Sequence, residues 1–140
     1  MTKRILVMGL PGAGKTTLAQ QILDRLEVSG KTVTWLNADN IRKEYNDWDF
    51  SLEGRLRQSK RMRTLADLSN TDYAICDFVA PVQEMRDNFN ADITVWVNTL
   101  IAGRFEDTNK LFESPTKFDF NVISKDAGYW AKTIVDYISK

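Results

Sequence analysis

The chain has 140 residues, 43% apolar and 27% charged, with 19 basic and 19 acidic side chains. That length suits one domain and is short for two separate cores. The mix excludes disordered and fibrous classes, and the balanced charge leaves no global field to draw in nucleic acid or an anionic membrane. One cysteine, Cys76, and no histidine rule out internal disulfides, cysteine zinc cages and histidine triads, so proton transfer falls to Asp, Glu, Lys or water. No apolar run approaches the roughly 20 residues of a bilayer span, and the opening residues run into a glycine loop rather than a cleavage site. A cytoplasmic protein without membrane partners is expected.

In chain order, residues 4–8 (Arg-Ile-Leu-Val-Met) form a nearly unbroken apolar run of the kind buried on both faces of a parallel sheet. From Lys15 the pattern is helical, with Leu18, Ile22 and Leu26 on one face and Gly30 placed to stop it. Residues 32–36 read as a strand ending in the polar cluster Asn37-Ala38-Asp39-Asn40. Ser51 suits an N-cap, and Leu52, Leu56, Ser59, Met62 and Ala66 fall on one stripe of a helix to about Ser69, its other side basic. Residues 73–79 read as a strand, Pro81 opens a short helix, and 93–97 read as another strand. Residues 101–117 are charged and irregular, 118–123 suit a fifth strand, and Ala127, Trp130, Ile134 and Ile138 mark a terminal helix. The alternation predicts an α/β fold over residues 1–140 as one domain, its central parallel sheet of about five strands flanked by helices on both faces.

Gly9-Leu10-Pro11-Gly12-Ala13-Gly14-Lys15-Thr16 matches the phosphate-loop (P-loop, Walker A) pattern G-x-x-x-x-G-K-[ST] at every fixed position. It follows a buried strand and opens a helix, so backbone N–H groups of Gly9, Gly12, Ala13 and Gly14 and the helix N-terminus converge where a polyphosphate lies. Lys15 supplies a cation for the β and γ phosphates of ATP, and the Thr16 hydroxyl is a ligand for Mg²⁺. A guanine-specific N-K-x-D motif is absent, since Leu111 and Phe112 follow Asn109-Lys110. A compact P-loop NTPase fold with a late charged segment, about 101–117, reads as a small-molecule kinase with a closing lid.

Strand ends in such sheets deliver ligand-binding residues. Asp39, past the second strand, is placed to orient or deprotonate an acceptor hydroxyl; capping a helix over 40–45 is the structural alternative. Asp77, near the end of the third, is placed as a metal carboxylate, with a structural hydrogen bond as its alternative. Arg55, Arg57, Lys60, Arg61 and Arg63 read mostly as a solvated helix face, and no aromatics interleave them as a nucleic-acid surface requires. Arg42 and Arg55 stand apart, each just after an element that reaches the crevice and suited to an anionic group.

The chain resembles the adenylylsulfate kinase family, which phosphorylates the 3′-hydroxyl of adenosine 5′-phosphosulfate with ATP. Gly9 to Thr17 is similar to that family's phosphate loop, Asn37-Ala38-Asp39-Asn40-Ile41-Arg42 to its D-G-D-N-[IV]-R, Phe50-Ser51 with Arg55 to its F-S-x-x-x-R, Val79-Ala80-Pro81 to its I-S-P, and Phe112-Glu113-Ser114-Pro115 to its Y-E-x-P. The resemblance implies Thr17 as a further nucleotide contact, Asp39 at the acceptor hydroxyl, Arg42 and Arg55 on the phosphosulfate, and Phe50 on the adenine, with Val79 beside them. Asn37 stands where the family has its first acidic residue, Ala80 where it has serine, and Gln58 where asparagine is expected. The lid between Arg104 and Phe112 is shorter than the family's and lacks the stretch that supplies its second aromatic against the substrate base; Arg104 and Lys110 are its candidate cations.

The sequence therefore predicts an ATP- and Mg²⁺-dependent kinase acting on a small anionic hydroxylated acceptor, adenosine 5′-phosphosulfate first. A kinase for another hydroxylated metabolite or nucleotide, a polynucleotide 5′-hydroxyl kinase and a non-catalytic nucleotide-binding regulator remain open, as does a homodimer.

Overall fold

The computed structural model describes residues 1–100 and 106–139. Five strands, β1 (Lys3–Met8), β2 (Val33–Asn37), β3 (Tyr73–Asp77), β4 (Ile93–Val97) and β5 (Phe120–Val122), form one sheet in the order β2-β3-β1-β4-β5. Every neighbouring pair is parallel. The predicted P-loop α/β architecture is thus the observed one.

Alternation along β1 divides the core. Ile5 and Val7 join a cluster with Leu18, Ile22 and Leu26 of α1 (Lys15–Val28) and Ile134 of α6 (Ala127–Ile138). Leu6 and Met8 join one on the opposite face with Met62 and Ala66 of α3 (Leu52–Leu68) and Met85 and Phe89 of α4 (Gln83–Phe89). Successive strand side chains point to opposite faces, so a strand covered on both sides must be apolar at every step. Each fully buried aliphatic side chain here contributes about 1.5–3 kcal/mol.

Several local expectations shift. The buried face of α3 holds Arg55, Gln58 and Ser59 beside Met62 and Ala66, whereas Leu52 is exposed. The helix is rotated because its first turn packs beneath the loop before it: a Cβ on Gly54 would lie 2.2 Å from the Asp49 carbonyl oxygen. Ser51 caps α3 as predicted, accepting from the Gly54 N–H at 3.2 Å. Pro81 precedes rather than opens α4, for Val82 is its N-cap. The third strand stops at Asp77, and the stretch predicted irregular contains α5 (Glu106–Leu111). Among the described residues, no helix is long and apolar enough to cross a membrane.

Candidate active site

The C-terminal ends of β1, β2 and β3 converge on one cavity of about 1090 Å³. From β1 comes the phosphate loop. Gly9 makes its first turn at φ 152°, where a Cβ would sit 2.4 Å from the Val97 carbonyl oxygen, so only glycine lets the loop leave the sheet beside β4. Gly14, at φ 106°, is the N-cap of α1 and brings no side-chain cap. The helix thus starts without an internal acceptor for its first N–H groups, the arrangement that suits an anion.

Two side chains from the later half of the chain hold the loop's carbonyls. The Thr99 hydroxyl donates to Ala13 O at 2.7 Å, and Lys125 Nζ donates to Gly12 O at 3.1 Å. Lys15 Nζ donates to Leu10 O at 3.0 Å, folded across its own loop. Gly12, Ala13, Gly14, Lys15, Thr16 and Thr17 all line the cavity.

From β2 and β3 comes a polar chain that the sequence only half disclosed. Asp77 is 3% exposed. Its carboxylate accepts from Trp35 Nε1 at 2.7 Å and from Asn37 Nδ2 at 2.8 Å. Asn37 and Asp77 are cross-strand partners in the β2–β3 register, which sets this contact. Burial pushes the Asp77 carboxyl above the usual range, while the Trp35 hydrogen bond and the Lys15 charge draw it back down. Asn37 also reaches Thr16 Oγ1 at 3.5 Å and accepts from Asn40 N at 3.1 Å. It is therefore Asn37, not Asp39, that caps α2 (Ala38–Tyr45). Asp39 lies in the first turn, exposed and lining the cavity.

Arg42 and Arg55 also line the cavity, yet both are buried, at 4% and 9% exposure. Arg42 Nη1 donates to Asp47 O at 3.0 Å and Asp49 O at 3.2 Å, and burial lowers its pKa. Arg55 donates through Nε to Phe50 O at 2.8 Å and through Nη2 to Thr108 Oγ1 at 3.3 Å. Their guanidinium carbons lie 4.3 and 5.4 Å from the Phe50 ring centroid.

The basic run on α3 is more than a solvated face. Arg57 binds Asp47 through Nε at 3.0 Å and Nη2 at 3.1 Å and reaches Asp49 at 3.2 Å, while Arg61 binds Asp47 at 2.9 Å. Hydrogen bonds from Arg57, then Arg61, hold the Asp47 carboxyl well below the usual carboxylate range. These bonds brace the loop 46–51, with Asp47 and Asp49 turned to the arginines and Trp48 and Phe50 on the cavity. The two-residue alternation of acid and aromatic was the available signal.

Val79 lines the cavity too. Behind it, buried Arg86 donates to Ala80 O at 2.9 Å, to Pro81 O at 3.3 Å and to Glu113 O. Glu113 N in turn donates to Pro81 O at 2.6 Å. The two family-like segments 79–81 and 112–115 are thus joined. Lys110 is exposed on the last turn of α5 and is not among the residues lining the cavity; Arg104 lies outside the described residues.

A phosphate loop heading a five-stranded parallel sheet defines a P-loop NTPase fold. The narrower assignment comes from sequence: the family model for adenylylsulphate kinase matches residues 1–113, and the chain belongs to that family. Relatives include a probable adenylyl-sulfate kinase of Aeropyrum pernix, 40% identical over 81 residues covering 56% of this chain and 44% of that protein. One from Pyrococcus abyssi is 34% identical over 92 residues, covering 64% and 53%. The chain spans about half the length of the curated relatives it matches. Among solved structures, the Mycobacterium tuberculosis APS kinase in complex with AMPPNP and APS is similar over 99% of this chain and 98% of that one, with a TM-score of 0.82 at 18% identity. Shikimate kinase from Aquifex aeolicus is similar over 97% and 96%, with a TM-score of 0.68 at 15% identity. At such identities these likenesses speak for the fold.

Proposed function

We propose that the chain is an ATP-dependent adenylylsulfate kinase, moving the γ-phosphoryl group of ATP to the 3′-hydroxyl of adenosine 5′-phosphosulfate. The observation that carries this reading is one continuous cavity shared by the phosphate loop and by Asp39, Arg42, Phe50 and Arg55. A volume of about 1090 Å³ admits a donor and an acceptor side by side.

In this reading the N–H groups of residues 12–16 and Lys15 hold the β and γ phosphates and balance the charge that develops on transfer. Asp39, exposed in the first turn of α2, accepts the acceptor's hydroxyl proton. Arg42 and Arg55 present guanidinium edges to the phosphosulfate while keeping the loop 46–51 in place. The residues suit a Mg²⁺ ion: the Thr16 hydroxyl and the Asp77 carboxylate bracket the same Asn37 amide, giving oxygen ligands of the hard type that ion takes. Thr16 would hold it directly and Asp77 through water, and the ion would supply positive charge to offset that of the transferring phosphates. With Ala80 in place of serine, transfer runs directly from ATP to acceptor with no phosphoserine on this loop. Residues 1–140 act as one cytoplasmic catalytic unit.

An ATP-consumption screen over hydroxylated metabolites, nucleotides and 5′-hydroxyl oligonucleotides tests the proposal. Stimulation by adenosine 5′-phosphosulfate is the expected result. Stimulation by a different acceptor would reassign the substrate, and none by any acceptor would favour a regulator.

A further inference from the structure

The loop 46–51 carries two large exposed aromatics, Trp48 at 51% and Phe50 at 50% exposure, and both line the cavity that Asp39 and the phosphate loop also line. They are not equally available. Phe50 has the Arg42 guanidinium 4.3 Å from its ring centroid and Arg55 at 5.4 Å, so part of its π surface is already covered by cations. Trp48 has no ring, cation or hydrogen-bond partner among the described residues.

Trp48 belongs to neither core cluster, and a free loop would let so large an apolar side chain collapse onto the protein. This loop is not free. Asp47 and Asp49 are tied to Arg57, Arg61 and Arg42 on two helices, and Gly54 gives the Asp49 backbone room to sit on the first turn of α3. Trp48, between the two braced acids, is held out with its indole ring presented to the cavity. Rigid presentation lowers the ordering cost of binding, and a planar ring is what an indole face binds best.

We infer that Trp48, held between Asp47 and Asp49 on the arginine-braced loop, is the main aromatic surface of the acceptor site and binds a purine-like planar ring, with Phe50 as its neighbour. The inference rests on the adenylate-acceptor reading above and adds to it the residue that recognises the base.

The test is binding of adenosine 5′-phosphosulfate and of adenosine 5′-monophosphate, by calorimetry, to the wild type, Trp48→Ala, Trp48→Phe and Phe50→Ala, each saturated with a non-hydrolysable ATP analogue. A base-stacking loss corresponds to roughly 5- to 150-fold weaker binding. Trp48→Ala should weaken both adenylates to that extent, Trp48→Phe should restore most of the affinity, and Phe50→Ala should cost less than Trp48→Ala. Unfolding midpoints of the variants, expected within a few degrees of wild type for so exposed a site, separate lost contact from lost fold. Unchanged adenylate affinity in Trp48→Ala overturns the inference, as does a wild type that binds neither adenylate. Adenylate binding that depends on Trp48 without phosphoryl transfer would instead sink the kinase reading and leave the inference standing.

Discussion

The Asn37 carboxamide donates to the Asp77 carboxylate at 2.8 Å while its oxygen accepts from the N–H of Asn40 at 3.1 Å, so one side chain caps α2 and satisfies a buried acid. Only an amide does both, because a carboxylate in its place accepts and cannot donate. Asn37→Asp should keep the cap and lose the bond, placing two carboxylates in contact. Asp77 is already pushed up by burial, so its unfolded form releases the proton first and the variant's deficit grows as pH rises above about 4. We expect roughly 1–3 kcal/mol lost at pH 7 and almost none at pH 4. Metal-free urea unfolding at both pH values checks this, and equal deficits would rule out the paired acids as the cause.

Lys15→Ala should leave the fold intact, since the Lys15 ammonium is spent on the Leu10 carbonyl and the cavity and not on the core. Turnover should fall on the order of 10²-fold or more, the worth of one such electrostatic contact. Near-normal turnover of the folded variant would overturn the assignment of the loop.

Asp39→Asn separates cap from chemistry more sharply than the sequence allowed, now that the cap is Asn37. Losing one acid from the first turn costs about 0.3–1 kcal/mol of helix stability. A positioned base contributes about 10²- to 10⁴-fold to turnover. Steady-state rates at saturating ATP decide it: a small rate change alongside a small stability change would leave Asp39 no role beyond the helix dipole.

Asp47→Asn should loosen the loop 46–51, because Arg57 and Arg61 lose the charge that draws them together. The wild-type carboxyl is held well below its ordinary value, so its contribution is complete above about pH 4 and disappears only as pH falls through the lowered value. Limited proteolysis should cut the variant within 46–51 several-fold faster at pH 7. The wild-type rate should stay flat from pH 8 to pH 5; a rise already at pH 6 would mean that another group braces the loop.

What was legible in the chain divides by the range of the forces involved. The strand before Gly9, the phosphate loop and the helix from Lys15 are local patterns, and they stand where the sequence placed them. The strand over 93–97 matched because its residues form a short run of β-branched and aromatic side chains. Asn37 escaped notice as a cap because Asp39, two residues on, is an equally good capping type, and only the register of β2 on β3 decides which side chain has a second partner. Arg57 and Arg61 look like any solvated cations until the turn after α2 brings Asp47 back against α3. Arg55 falls on the buried face because the Phe50 carbonyl and the Thr108 hydroxyl receive its guanidinium, and no hydropathy pattern records such partners.

The place of β1 in the sheet bears on how the molecule is assembled. Its neighbours are β3, about seventy residues later in register Leu6 with Cys76, and β4, later still, where Met8 meets Trp96. The strand that carries the phosphate loop is thus the first of these five to be synthesised and among the last of them to have both edges paired. Until residue 97 is available, an apolar ribbon has an open side, the state most exposed to mispairing. Folding of this chain should consequently be governed by long-range closure more than by its helices, and a fragment ending before β4 should aggregate rather than form a smaller version of the fold.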